Sequence, residues 1–354
     1  MNSRLLRSPR RPRSSRWQGT AAGMAISLVA VVTAACGGGG SSDSASTLTV
    51  YSGRAEAQIQ PIVDQFIKDT GVKVKVRYGA TPELAAQIAE EGPNSPADVF
   101  FAQDAGALGS VDKVGLFAPI PAETLSEVES RYRAEDGDWI GITGRARVIV
   151  ANSAKVPDSE VPTSVFGVTD PKWKGRVGIA PTNGSFESFV TAMRVQVGEQ
   201  RTKEFLEALK ANDVKTYNDN ALILKAVNDG EIDLGLINHY YWYQLANEIG
   251  EDKMVARNHF TINGDPGALI NVAGVGVLKS SDHPEAAARF VTYLLSPPAQ
   301  TFFADENFEF PLSGGVQPLP SLPKLAEIQS PDIDLSDLGT LDQTLAMLKQ
   351  TGLL

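Results

Sequence analysis

Two tyrosines, Tyr240 and Tyr241, stand side by side in "INHYYWYQL" (237–245), with His239 before them and Trp242 after. Phenol is a weak acid with a pKa of about 10. Tyrosinate therefore forms at neutral pH only beside a strong Lewis acid. A hard trivalent cation such as Fe(III) suits anionic oxygen donors of this kind. Adjacent residues on an irregular strand end can both reach one ion where the backbone twists. The competing reading is an aromatic packing cluster that Trp242 and Tyr243 continue, and the pair alone does not choose.

A second stretch, "APTNGSFESF" (180–189), reads as a strand end, a Pro/Asn/Gly turn and a helix beginning near Ser185. Free N–H groups at a helix start, with side-chain donors from Thr182, Asn183 and Ser185, make a small anion site. The same residues also describe ordinary N-capping. Asn220 opens a later helix, where it either caps that helix or points its amide into the same crevice. Asn238 lies two residues before Tyr240, on the same strand face as that residue. His259 and His283 lie in polar segments with no partner pattern. No H-E-x-x-H, G-x-S-x-G or G-x-x-x-x-G-K-S/T motif occurs, and three scattered histidines offer little general-base capacity. The chain reads as a binder, not an enzyme.

These residues need a scaffold outside the cytoplasm. Arg4, Arg7, Arg10, Arg11, Arg13 and Arg16 precede an uncharged apolar stretch from about Gly19 to Ala35, which is the layout of a secretory signal over 1–35. It ends at "VTAAC". Cys36, the one cysteine in 354 residues, sits where a bacterial lipoprotein carries its lipid, although Thr33 stands where that motif usually has leucine. The Gly/Ser-rich run over 36–47 reads as a flexible tether. Taking the six arginines from 32 basic residues leaves 26 against 42 acidic ones, a net charge near −16. Such a surface does not suit nucleic acid or anionic lipid. A small anion would be held by local dipoles or a few selected arginines.

The remaining 319 residues alternate strands with helices of about 10–15 residues. "LTVYS", "VKVKVRY", "ADVFFA", "GRARVIVAN", "RVGIAP" and "EIDLGLIN" read as strands. "PELAAQIAEEG", "FESFVTAMRVQVG", "TKEFLEALKAN" and "NALILKAVNDG" read as helices, with "YLLSPPAQTFF" and "LDQTLAMLKQTGLL" as amphipathic packing helices. The alternation implies an α/β fold with parallel sheets covered by helices, and ligands outside the carboxyl ends of the strands.

From Leu48 onward the chain resembles the ferric-ion-binding periplasmic proteins of bacterial iron ABC importers. The resemblance rests on "LTVYSGR", "AEEGPNSPADVFF", "GITGRARVIV", "PKWKGRVGIAPTNGSF", "NDGEIDLGLINHYYW", "DPGAL" and "GVGVLKSS", in order. It implies a type II periplasmic binding protein fold: two lobes, each a mixed sheet covered by helices, joined by crossing hinge strands and closing on ligand. Residues 48–147 with 271–321 would form one lobe and 148–270 with 322–354 the other. By resemblance Tyr240 and Tyr241 match paired iron ligands. Asn183, Gly184 and Ser185, beside Thr182, match a synergistic-anion loop, with Asn220 and Asn238 as further contacts. Arg145 and Arg147 border the cleft, at least one of them expected as a solvated strand arginine.

Two departures stand out. Ala55 takes the place of a ligand histidine, and Gln103 that of a ligand glutamate, which leaves Glu56, Gln103 or Asp104 as candidates for the first lobe. The resemblance implies Fe(III) as cargo with phosphate or carbonate, an ABC permease as partner, a lipid anchor on the outer face of the cytoplasmic membrane, and a monomer. The alternative is a metal-free receptor for a small anion such as a phosphonate or phosphate ester.

Overall fold

A computed structural model describes residues 47–354. The expected signal, Cys36 and all of the tether but Thr47 lie outside the described residues. The described strands are β1 (Thr47–Ser52), β2 (Lys73–Tyr78), β3 (Val99–Ala102), β4 (Phe117–Ala118), β5 (Trp139–Asn152), β6 (Val177–Ile179), β7 (Lys215–Thr216), β8 (Leu234–Asn238), β9 (Ala256–His259), β10 (Ile270–Leu278) and β11 (Phe310–Pro311). The α-helices are α1 (Glu56–Thr70), α2 (Thr81–Glu91), α3 (Ala105–Lys113), α4 (Ala122–Leu125), α5 (Gly184–Val197), α6 (Glu199–Ala211), α7 (Asn220–Asn228), α8 (Tyr240–Ile249), α9 (Pro284–Leu294), α10 (Pro297–Asn307) and α11 (Leu341–Gln350).

Short polar residues start several of these helices. Asp104, Asn183 and Asp219 each accept a backbone N–H from the first turn of α3, α5 and α7. Gly71 ends α1 in the left-handed region, at φ 73°, with its N–H on the Ile67 carbonyl. No described helix is long and apolar enough to cross a membrane.

The main strand order is β2-β1-β3-β10-β5-β8-β6-β7. The outer pairs are parallel, as the alternation of strands and helices implies. The centre is not: β10 runs antiparallel to both β3 and β5, and β5 antiparallel to β8. β9 also runs antiparallel to β5. The architecture is therefore mixed α/β. β5 pairs with β10 through Ala146 and with β8 from Arg147 onward, so one strand passes between two sets of partners. All fourteen of its residues are buried, which explains why "GRARVIVAN" shows no clean alternation.

One apolar cluster gathers around Val50, Phe66, Phe100 and Ile140; two others gather around Ile149, Phe189 and Leu236 and around Val150, Ile223 and Ile237. From the last stretch of chain, Leu322, Ile328, Leu335 and Leu338 pack with the first cluster, while Met347, Leu348 and Leu353 pack with the second. "YLLSPPAQTFF" is two helices instead of one. Pro297 forces Ser296 into extended backbone, at ψ 152°, and α9 ends before it.

Candidate functional site

The tyrosine pair is not on a strand end. β8 stops at Asn238, His239 turns into right-handed helical backbone, and Tyr240 and Tyr241 are the first two residues of α8. Their rings stack, with centroids 4.4 Å apart and planes 28° from parallel. His239, fully buried, sits behind them. Its Nδ1 accepts the Ala146 N–H at 3.1 Å and its Nε2 donates to the Phe308 carbonyl at 2.8 Å. Burial pushes the imidazole down to about 4, against the favourable hydrogen bond to Phe308, so it is neutral. With both nitrogens committed to backbone, it has no lone pair for a metal. Phe308 itself adopts φ 59°, a left-handed conformation that costs a non-glycine residue about 1–2 kcal/mol. The bond to His239 helps hold it there.

Tyr240 and Tyr241 open onto a cavity of about 400 Å³. One wall brings Gly53, Thr81, Gln103 and Asp104; the other brings Thr182, Asn183, Gly184, Ser185 and Glu187. Ala80, Pro82, Glu83, Leu341 and Leu345 complete it. The first wall is tightly packed within itself: a Cβ at Gly53 would fall 1.9 Å from Thr81 Oγ1. At Gly184 a Cβ would meet nothing within 4 Å, so the cavity is open over the first turn of α5.

The turn before α5 is wired internally. Asn183 Oδ1 accepts the Ser185 N–H at 3.0 Å, the Ser185 hydroxyl at 2.6 Å and Asn220 Nδ2 at 3.1 Å. Asn220 Nδ2 also reaches Ser185 Oγ at 3.0 Å. That locks the Asn183 oxygen inward and leaves its amide nitrogen and the Gly184 N–H as donors at the cavity wall. Asn220 is thus a buried supporting residue; Asp219, one position earlier, is the cap of α7.

Behind this turn lies Arg147. Its Nη1 donates to Ser185 Oγ at 3.3 Å and its Nη2 to the Leu236 carbonyl at 2.8 Å. Its guanidinium lies over the Phe189 and Phe186 rings, 5.2 and 5.6 Å from their centroids. It has no carboxylate partner among the described residues. Burial pushes it down to about 9, partly offset by the phenol oxygens of Tyr241 and Tyr240, so it remains cationic at neutral pH. Neither Arg145 nor Arg147 is the solvated strand arginine expected from sequence, because both faces of β5 are covered. Arg145 donates to the Gln103 carbonyl and stands 4.0 Å from Glu309. Glu309 is itself clamped by buried Arg54 through bonds of 2.8 and 3.0 Å.

Protonation follows burial. Tyr240, 3% exposed, is raised well above the usual phenol value by desolvation and then by Tyr241, against the pull of Arg145. Asp104 is raised by burial despite accepting the Ala107 N–H. Glu187 is pushed up to about 7, first by burial and then by Asp104.

Of the residues singled out in the sequence, Tyr240, Tyr241, Gln103, Asp104, Thr182, Asn183, Gly184 and Ser185 line one cavity, and Asn220 supports it. Arg145 lies behind Gln103. Asn238 pairs in register with Arg147 and does not line the cavity. Glu56 is exposed at the start of α1 and outside it. Gly53, Thr81 and Glu187 were missed. For Glu187 a signal existed: it lies three residues beyond Gly184, on the same face of a helix.

The profile of the family described as bacterial extracellular solute-binding protein matches residues 94–336. The Fe(3+)-binding periplasmic protein of Serratia marcescens is 36% identical over 308 residues, covering 87% of this chain and 90% of that protein. The iron-bound HitA of Pseudomonas aeruginosa superposes with a TM-score of 0.81 at 40% identity, over 86% of this chain and 99% of that one. The Trichodesmium protein solved with iron and citrate gives 0.76 at 29% identity, over 87% and 99%.

Proposed function

The chain belongs to the bacterial extracellular solute-binding proteins, in their ferric-ion-binding periplasmic group with its two-lobe α/β fold, and from that premise we propose that it captures Fe(III) outside the cytoplasm for import. Its relatives are iron-binding transport receptors, and it is not an enzyme. The observation that carries the reading is the pair Tyr240 and Tyr241 at the start of α8, opening onto one cavity with the Asn183–Gly184–Ser185 turn.

Each phenol loses its proton to become a ligand, and two phenolates suit a hard trivalent ion. Arg147 supplies a buried positive charge beside both rings and beside Ser185. Without a carboxylate partner it favours anionic charge at this end of the cavity. That charge is the tyrosinates and a small oxyanion, phosphate or carbonate, received by the Asn183 amide and the Gly184 N–H. Thr182 borders the same place. The two parts of the sheet, on either side of the long strand β5, are the cores of lobes that close over the ion by hinge motion. Cys36 is the site of a lipid anchor on the outer face of the cytoplasmic membrane, and an ABC permease receives the iron.

Adding ferric nitrilotriacetate to the purified protein, with and without phosphate or bicarbonate, tests the reading. A broad visible phenolate-to-iron band is expected, diminished in Tyr240→Phe and in Tyr241→Phe and absent from the double variant. A wild-type protein with no band under any anion condition overturns it.

A further inference from the structure

Three carboxylates line the cavity: Glu83, Asp104 and Glu187. Glu83 is exposed to solvent on α2. Asp104 is buried but committed, because it caps α3 through the Ala107 N–H at 3.1 Å. Glu187 is 8% exposed, on the first turns of α5, and its carboxylate has no hydrogen bond or ion pair among the described residues. A nearly buried carboxylate with no partner is costly to keep. It persists where a ligand supplies the missing positive charge. Arg147 does not serve, since its donors go to Ser185 and Leu236.

We propose that Glu187 is a direct ligand of the captured ion, the carboxylate that completes the donor set begun by Tyr240 and Tyr241. This rests on the iron reading above and deepens it. Two phenolates and one carboxylate carry three negative charges, which match a trivalent cation, while the Arg147 cation offsets a singly charged oxyanion such as bicarbonate. Gln103, on the opposite wall, is neutral and adds none. The same count disfavours divalent ions, for which the site is over-charged by one. Selection for Fe(III), and for redox-inert Ga(III), over Zn(II) or Mn(II) is thus written into this donor set.

The test uses full-length protein and ferric nitrilotriacetate, with Glu187→Gln, Glu187→Asp and, as a control on the same cavity, Glu83→Gln. In Glu187→Gln the phenolate band persists but moves to longer wavelength, because the iron has lost an anionic donor. Iron held in competition with the chelator weakens at least tenfold, while the iron-free variant melts no lower than wild type, since an unpaired buried charge has gone. Glu187→Asp keeps the band nearer its wild-type position, and Glu83→Gln changes affinity less than twofold. An unmoved band with less than tenfold weakening in Glu187→Gln overturns the proposal. So does an iron-free Glu187→Gln that melts lower, which marks a structural role. A wild type with no band fails the iron reading itself, which this comparison separates from failure of Glu187 alone.

Discussion

Acidification should strip iron from this protein with a steepness set by the tyrosines. A phenol titrates near 10 in water, and burial holds Tyr240 well above that value. Iron can take a tyrosine as a ligand only by displacing its proton, so protons compete with iron and affinity rises with pH. Two tyrosinates release two protons, and linkage makes the affinity constant change about a hundredfold, or ~2.7 kcal/mol, per pH unit. Between pH 8 and pH 7 that slope of two should hold. Below about 7, on the assignment of Glu187 to iron, a third proton enters, because burial and Asp104 push that carboxyl up to about 7, and the slope steepens toward three. The assay is a competition titration against nitrilotriacetate at fixed anion, corrected for the chelator's own protons. A pH-indicator measurement of protons released per iron accompanies it. In Tyr240→Phe the slope above pH 7 should fall to one, with band intensity roughly halved. A wild-type release near one proton or fewer, or an unchanged slope in Tyr240→Phe, refutes the paired-tyrosinate reasoning.

Three further outcomes follow from the same geometry. Arg147→Met should weaken iron about 10–100-fold, the usual cost of losing a supporting contact around a metal site, and remove most of the dependence on added phosphate or bicarbonate; titrations with and without the anion check both. Glu309→Gln should destabilise the fold by about 3–5 kcal/mol in urea unfolding, because buried Arg54 loses its charge partner, whereas Arg54→Met combined with Glu309→Leu should recover most of the loss. The iron-free protein should lose stability relative to Glu187→Gln as pH rises. Glu187 is raised from the ordinary 4.5 to about 7 in the fold, so its contribution is fully present below about 4.5 and is lost as pH passes 7. Discounted for its place on the wall of an open cavity, the difference is on the order of 1–2 kcal/mol, read from paired melts at pH 5 and pH 8.

Local signals in this chain were legible because their causes are local. Asn183 before Gly184 and Ser185 reads as a helix start, and it is one, since a short side-chain oxygen satisfies an N–H that the helix leaves free. The outer strands announce themselves by β-branched runs. What stayed hidden depends on which surfaces meet. Arg145 and Arg147 look like outward residues in a short window, yet β5 has several strand partners and is covered on both faces, and both arginines are buried. Glu187 and Asp104 are far apart in sequence, and only folding places one against the other across the cavity. The Arg54–Glu309 clamp spans almost the whole described chain and carries no sequence pattern.

The tyrosines show most clearly why composition alone misleads. Aromatic residues favour strands, and "INHYYWYQL" continues an apolar strand, so a strand end was the natural reading. On a strand, however, neighbouring side chains point to opposite faces, and two phenols could share one ion only through a distorted backbone. A helix turns about 100° per residue, so two consecutive residues in its first turn can both face the same opening without distortion. His239 makes that turn. Its two backbone hydrogen bonds anchor the helix start to β5 on one side and to the end of α10 on the other. The chemistry read from the residue pair therefore depends on a helix that the same residues, taken by propensity, argue against.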